Sequence, residues 1–210
     1  MGSLAMIIRG TRLVVPAPTF DAYKGLQAVE QEETNIWYGT PTMYVDLLDN
    51  PRRAEFKLPK LNYKGLMAGS ICPEQLLLDL RDVFNCRVFV AYGTTENSPI
   101  TFMSTGDDSF ENQTTTVGYI MPHTEAKVID TDQRVVNRGE SGELCIRGAC
   151  IFAGYWNQPD KTREAIGEDG WYKTGDLAVI TEEGYAKIVG RAKDMIIRYG
   201  QLPSRYREYI

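Results

Sequence analysis

Arg87-Val88-Phe89-Val90-Ala91 runs directly into Tyr92-Gly93-Thr94-Thr95-Glu96. The first five residues read as a buried strand. The next five read as a glycine turn with two hydroxyls and a carboxylate. Upstream, the pattern alternates between helix and strand. Asp21 to Glu33 reads as a helix with Ala22, Leu26 and Val29 on one side, and Asn35-Ile36-Trp37-Tyr38 as a short buried strand. Pro41 suits a first helical position with Thr40 as its cap, for a helix reaching Leu48. Tyr63 to Ala68 is a strand ending at Gly69-Ser70, and Pro73 opens a helix with an apolar face of Leu76, Leu77, Leu80 and Phe84. This order predicts an α/β fold, a parallel sheet with covering helices. Ligands in such sheets bind beyond the carboxyl ends of strands. Gly69-Ser70 and Tyr92-Gly93 both lie at such ends. At the start of the chain, an apolar helix tail is expected to lead into a strand over Arg12-Leu13-Val14-Val15.

The rhythm changes after about residue 115. Glu125 to Ile129, Glu143 to Arg147 and Tyr185 to Val189 alternate with period two, separated by glycines and acidic turns. This predicts a small antiparallel β-barrel subdomain. One helix interrupts it, Pro159 to Ile166, with Asn157 as a nearby cap. The boundary is placed in the polar stretch Ser104 to Thr116, giving an α/β subdomain over 1–115 and a β-rich one over 116–190.

Composition narrows the function classes. A chain of 210 residues can bury a real core. Its net charge of −5 speaks against a nucleic-acid surface, which needs a basic stripe. No apolar run is long enough to span a bilayer. Arg9, Arg12 and Pro16 make the start a poor signal or transit peptide, and Met6 occupies the position where a myristoylation motif wants Ser or Thr. Cys72, Cys86, Cys145 and Cys150 form no CxxC pair, so reduced and mostly buried thiols are expected rather than disulfides or a structural zinc. His123 is the only histidine, which makes triad chemistry hard to build.

Three clusters carry chemistry. In Tyr92 to Glu96, an aromatic face suits a purine, Gly93 allows a sharp turn, Thr94 and Thr95 can bond phosphate oxygens, and Glu96 can hold Mg²⁺. A strand-ending turn with a solvated Glu is the plainer alternative. In Tyr172-Lys173-Thr174-Gly175-Asp176, an ionised Asp can accept two hydrogen bonds, as a ribose diol requires. A turn-capping Asp fits as well. In Gly190-Arg191-Ala192-Lys193-Asp194, the planar fork of Arg191 suits phosphate or ribose oxygens, with a surface salt bridge as the alternative. Lys193-Asp194 reads as an exposed turn fit for a pivot.

Together these stretches resemble the adenylate-forming superfamily of acyl-CoA synthetases and related ligases. The resemblance rests also on Tyr38 to Met43, Val117-Gly118, Met121 to Ala126, Gly142 to Gly148, Gly154-Tyr155-Trp156 and Gly190 to Arg198, and it runs over about residues 1–198. It implies ATP and AMP binding, Mg²⁺, and coenzyme A as co-substrate. The implied acid is a fatty acid, medium-chain by the nearest resemblance. Gly69, Ser70 and Ile71 would line the adenine, with Tyr92 stacked on it. Thr95 would touch the α-phosphate and Glu96 would bind Mg²⁺. Asp176 would hold the ribose hydroxyls and Arg191 the nucleotide. Lys193 would be the hinge opening a C-terminal segment, 191–210. Trp37, Tyr38, Val117 and Gly118 would border the acyl channel. The nearest members are mitochondrial, with a cytoplasmic location as the alternative. The superfamily's Ser/Thr/Gly-rich phosphate loop with its lysine does not occur in these 210 residues, and Tyr199-Gly200-Gln201-Leu202-Pro203 departs from the pattern that follows the hinge. The resulting expectation is that this polypeptide alone is inactive or nearly so. A non-catalytic module that binds nucleotide or acyl-AMP is the alternative.

Overall fold

The structure, a computed structural model, describes residues 2–58, 63–70 and 72–192. The chain divides into two compact units, one ending at Phe89 and the other starting at Val90.

The first unit contains α1 (Gly2–Arg9), α2 (Ala22–Glu32), β1 (Ile36–Gly39), α3 (Pro41–Asp49), β2 (Tyr63–Met67), α4 (Glu74–Phe84) and the first residues of β3 (Cys86–Tyr92). The strands lie in the order β1-β2-β3, and β1 pairs in parallel with β2, Trp37 opposite Gly65. Thr40 caps α3 as expected, and Asp21, expected as the first helical residue, caps α2. The Asp21 carboxylate accepts from the Lys24 amide at 3.0 Å, and the Thr40 hydroxyl from the Met43 amide at 3.4 Å. Each satisfies an otherwise orphaned donor and stabilises its helix by about 1 kcal/mol. Leu26 of α2, Tyr44 and Val45 of α3, Leu76 and Leu80 of α4, and Tyr63 and Met67 of β2 are all buried. A Cβ on Gly65 would lie 2.8 Å from the Tyr44 hydroxyl oxygen, so a bare backbone at that point lets α3 sit down on the sheet.

Arg12 to Val15 is not the expected strand. The segment has no regular structure, with Leu13 and Val15 exposed. Pro16 and Pro18 follow at once, and proline contributes no N–H to a ladder.

The second unit contains the end of β3, then β4 (Phe102–Met103), α5 (Phe110–Thr115), β5 (Tyr119–Ile120), β6 (Thr124–Ile129), β7 (Ser141–Gly148), α6 (Pro159–Ala165), β8 (Tyr172–Ile180) and β9 (Ala186–Arg191). Strand β4 pairs antiparallel with both β3 and β5, so the α/β sheet is mixed rather than parallel throughout. Strands β6 to β9 form an antiparallel sheet in sequence order. This sheet is open, with β6 and β9 at its edges, and does not close into the expected barrel. Register shifts between Glu143 and Cys145 and between Leu177 and Ala178 bend the strands locally, but closure would need β9 to pair with β6.

Phe102 of β4 packs in one core with Val128, Leu144, Ile146, Ala178 and Ala186 of the second sheet. The expected boundary near residue 115 therefore falls inside a single packed unit. Helix α6 is preceded by Gln158 without a side-chain cap, while Asn157 takes a left-handed conformation (φ 54°) instead of capping. Among the described residues, no helix is long and apolar enough to cross a membrane.

Candidate functional site

The site is built in the second unit, where β3 ends. The Tyr92 carbonyl accepts from the Thr101 amide at 2.8 Å, closing the loop that follows the strand. Gly93 is required by that closure: a Cβ there would lie 1.9 Å from the Pro99 carbonyl oxygen. Thr95 to Asn97 then form one 3-10 turn. Asn97 is fully buried, and its Oδ1 accepts from the Thr94 amide at 2.6 Å. This fixes the turn and leaves Thr95 exposed and Glu96 half-buried.

Asp176 lies on β8, preceded by Gly175 (φ 73°). The Thr174 hydroxyl accepts from the Asp176 amide at 3.1 Å. In the β8–β9 ladder, Asp176 stands directly opposite Arg191. The Arg191 Nε donates to Asp176 Oδ1 at 3.0 Å, and the Tyr92 hydroxyl donates to Asp176 Oδ2 at 2.6 Å. The Asp176 side chain is only 6% exposed, whereas that of Arg191 is 42% exposed. Burial, and then the bond to Asp176, hold the Tyr92 hydroxyl far above the ordinary range for tyrosine, so it stays a donor.

A carboxylate offers roughly four lone-pair directions. Two donors, one per oxygen, leave each oxygen of Asp176 one further acceptor position. That is the complement of a vicinal diol. The exposed Arg191 guanidinium is the exchangeable cover, and its charge compensates the buried carboxylate, which would be costly to leave unpaired.

Glu96 is held separately. Its carbonyl accepts from the Phe152 amide at 2.8 Å, and its Oε1 accepts from the Tyr155 hydroxyl at 2.9 Å. Among the described residues, no group of three or more His, Cys, Asp or Glu could cage a metal. A lone carboxylate beside a phosphate still fits Mg²⁺, which usually takes one or two carboxylates and completes its shell with phosphate oxygens and water.

The structure thus brings Tyr92, Asp176 and Arg191 into one hydrogen-bonded chain, with Gly93, Thr94, Thr95 and Glu96 following on from Tyr92. The other expected residues are placed as follows. Val117 and Gly118 tie β5 to β9: the Val117 amide donates to the Ala186 carbonyl at 2.8 Å, and the Ala186 amide to the Gly118 carbonyl at 3.1 Å. A Cβ on Gly118 would lie 2.0 Å from the Met103 carbonyl carbon, so packing as well as its φ of 89° calls for glycine. Trp37, Tyr38, Gly69 and Ser70 belong to the first unit. Trp37 is 7% exposed, with its ring centroid 4.7 Å from that of Tyr63, and Tyr38 is 40% exposed. Both border a cavity of about 540 Å³ lined also by Leu13, Val15, Leu26 and Val29. Gly69 has φ 98°, a conformation that favours glycine. Ile71 and Lys193 lie outside the described residues.

Nothing in the sequence marks Tyr155 or Phe152 as site residues by itself. Gly154-Tyr155-Trp156 entered only as part of the resemblance, and no spacing rule links Tyr155 to a carboxylate 59 positions earlier.

A mixed sheet with helices followed by an antiparallel sheet, in this order, is the fold of adenylate-forming enzymes. The ATP-bound MatB of Rhodopseudomonas palustris superposes with a TM-score of 0.78 at 27% identity, over 93% of this chain and 38% of that one. The chain belongs to the AMP-binding enzyme family, whose profile matches residues 1–156. It is 44% identical over 202 residues to the mitochondrial medium-chain acyl-CoA ligase ACSF2 of Bos taurus, covering 95% of this chain and 33% of that protein. It is 41% identical over 206 residues to the acyl-CoA ligase sidI of Aspergillus fumigatus, covering 96% of this chain and 35% of that protein. The chain therefore spans about a third of the length of the curated relatives it matches.

Proposed function

We propose that this chain is part of an AMP-forming fatty acid–CoA ligase. The observation that carries the reading is the chain Tyr92–Asp176–Arg191, which leaves the buried carboxylate of Asp176 two acceptor positions suited to a ribose diol. The relatives named as acyl-CoA ligases support the same class. In the full reaction, a fatty-acid carboxylate attacks the α-phosphorus of ATP and pyrophosphate leaves. The thiol of coenzyme A then attacks the acyl carbon and AMP leaves.

Tyr92 presents its ring to the adenine, backed by Phe102 with ring centroids 6.3 Å apart. Asp176 takes the 2′- and 3′-hydroxyls, and Arg191 turns toward ribose or phosphate oxygens. Thr95, exposed at the start of its turn, donates to the α-phosphate. Glu96 is the residue that would hold Mg²⁺, which neutralises phosphate charge when bound. The contribution of these groups is positional and electrostatic: two anions are held together and the developing charge is met by fixed donors. A mitochondrial location and a medium-chain acid follow the names of the relatives.

The test is equilibrium binding of AMP to the purified chain, followed by ATP–pyrophosphate exchange with octanoate. Saturable AMP binding supports the nucleotide site, and octanoate-dependent exchange by this chain would overturn the expectation that it is inactive alone. Binding without exchange fits both an inactive part of the ligase and a nucleotide-binding module, and absence of any AMP binding defeats both.

A further inference from the structure

The site contains one contact that the reading above does not use. The Glu96 carboxylate is engaged by Tyr155, from a loop distant in sequence. That loop is itself firmly seated. The Tyr155 amide donates to the Thr162 hydroxyl of α6 at 2.9 Å. A Cβ on the preceding Gly154 would lie 2.7 Å from Thr162 Cγ2, so glycine permits the close approach. The Phe152 and Tyr155 rings meet edge-on with centroids 4.8 Å apart, and Phe152 meets Tyr172 of β8 in the same way at 5.8 Å. Phe152 also donates its amide to the Glu96 carbonyl at 2.8 Å. The loop therefore grips Glu96 at both ends, by its backbone and by its carboxylate.

We propose that Tyr155 is a positioning residue that fixes the Glu96 carboxylate for a divalent cation bound with nucleotide. This rests on the reading of Glu96 as the metal-facing carboxylate. A free glutamate samples many rotamers, and ordering one costs roughly 1.5–2 kcal/mol. The Tyr155 hydroxyl bears that ordering cost in advance by engaging Oε1, which leaves the carboxylate further lone pairs for a monodentate metal bond.

Calorimetric titration of ATP into the whole chain, once in EDTA and once in excess Mg²⁺, tests this. Tyr155→Phe keeps the ring and its packing on Phe152 and removes only the hydroxyl. It is expected to weaken ATP binding in Mg²⁺ on the order of 10-fold, as outer-shell groups of metal sites do. Affinity in EDTA is expected to stay within about twofold of the parent, as a group acting only through the metal requires. In a Glu96→Gln background, Tyr155→Phe is expected to add nothing, since the group it positions is gone. Equal losses in EDTA and in Mg²⁺, or the same loss with Gln at position 96, overturn the proposal and assign Tyr155 to packing. No change in Mg²⁺ overturns it too. A parent chain whose ATP affinity ignores Mg²⁺ defeats the metal role of Glu96 along with it.

Discussion

The Tyr92 hydroxyl donates to Asp176 Oδ2 at 2.6 Å across 84 positions of sequence, joining the end of β3 to strand β8. The bond gives Tyr92 two tasks, a ring face for a base and a hydroxyl that orients the ribose carboxylate. The two separate in mutants. Tyr92→Phe retains the ring and is expected to weaken AMP by roughly 10- to 150-fold, the worth of one hydrogen bond to a charged acceptor. Asp176→Asn exchanges an acceptor for a donor. It is expected to lose AMP by more than about 10-fold while binding 2′,3′-dideoxy-AMP as the parent does, because the dideoxy ligand never used those acceptors. Competition titrations with the two nucleotides give the answer. Unchanged AMP affinity in Asp176→Asn would remove the ribose from this carboxylate.

Two glycines with nearly the same backbone isolate what close packing requires. Gly118 and Gly139 have φ of 89° and 86°. Around Gly139, an added Cβ would meet nothing within 4 Å, whereas at Gly118 it would lie 2.0 Å from the Met103 carbonyl carbon. Gly139→Ala should cost only the left-handed strain, about 1–2 kcal/mol. Gly118→Ala adds a backbone collision between β4 and the segment leading into β5, and is expected to cost at least about 2 kcal/mol more, as overpacking does. Thermal melts of the two variants make the comparison. Equal melting points would show that the Gly118 contact is not tight in solution.

Capping and periodicity explain why the first unit was readable. Asp21, Thr40 and Pro41 each announce a helix start through local chemistry, and α2 and α3 begin where those residues place them. The β8–β9 hairpin shows the opposite case. Its acidic glycine turn is plain in the sequence, and the Ile180–Ala186 pair follows from it. Counting back without the bulge at Leu177/Ala178 would set Gly190 opposite Asp176, and the ion pair with Arg191 would be missed. A salt bridge is one of the two readings Arg191 offers in the sequence, but the sequence does not identify Asp176 as its partner. The mixed character of the first sheet escaped for a related reason. Strands β4 and β5 have two residues each, too few for any period to register. Glu96 and Tyr155 meet through tertiary packing alone, which leaves no local signature.

The buried thiols set an alkaline limit on stability. Cys86 is fully buried and Cys145 nearly so, and both are free. Burial pushes the Cys86 thiol up to about 12 and the Cys145 thiol, by burial and then the Glu143 charge, up to about 11. In the unfolded chain both ionise near 8.5. A group whose pKa is raised by folding contributes stability that is complete below the unfolded pKa. That contribution is lost as pH rises toward the folded one, because the unfolded state alone releases its proton. The window for Cys86 thus runs from about pH 8.5 to 12. Within it, each such thiol lowers stability by about 1.4 kcal/mol per pH unit. Urea unfolding under reducing conditions at pH 8, 9, 10 and 11 should show a midpoint that falls steadily above about pH 8.5. Cys86→Ala carries no ionisable group. It starts lower at pH 8 because of the atom removed from the core, but its decline above that pH should be shallower. Parallel declines in the parent and in Cys86→Ala would show that this thiol reaches water in the folded state, and that the face of β3 against α3 is looser than the packing of Tyr44 on Gly65 implies.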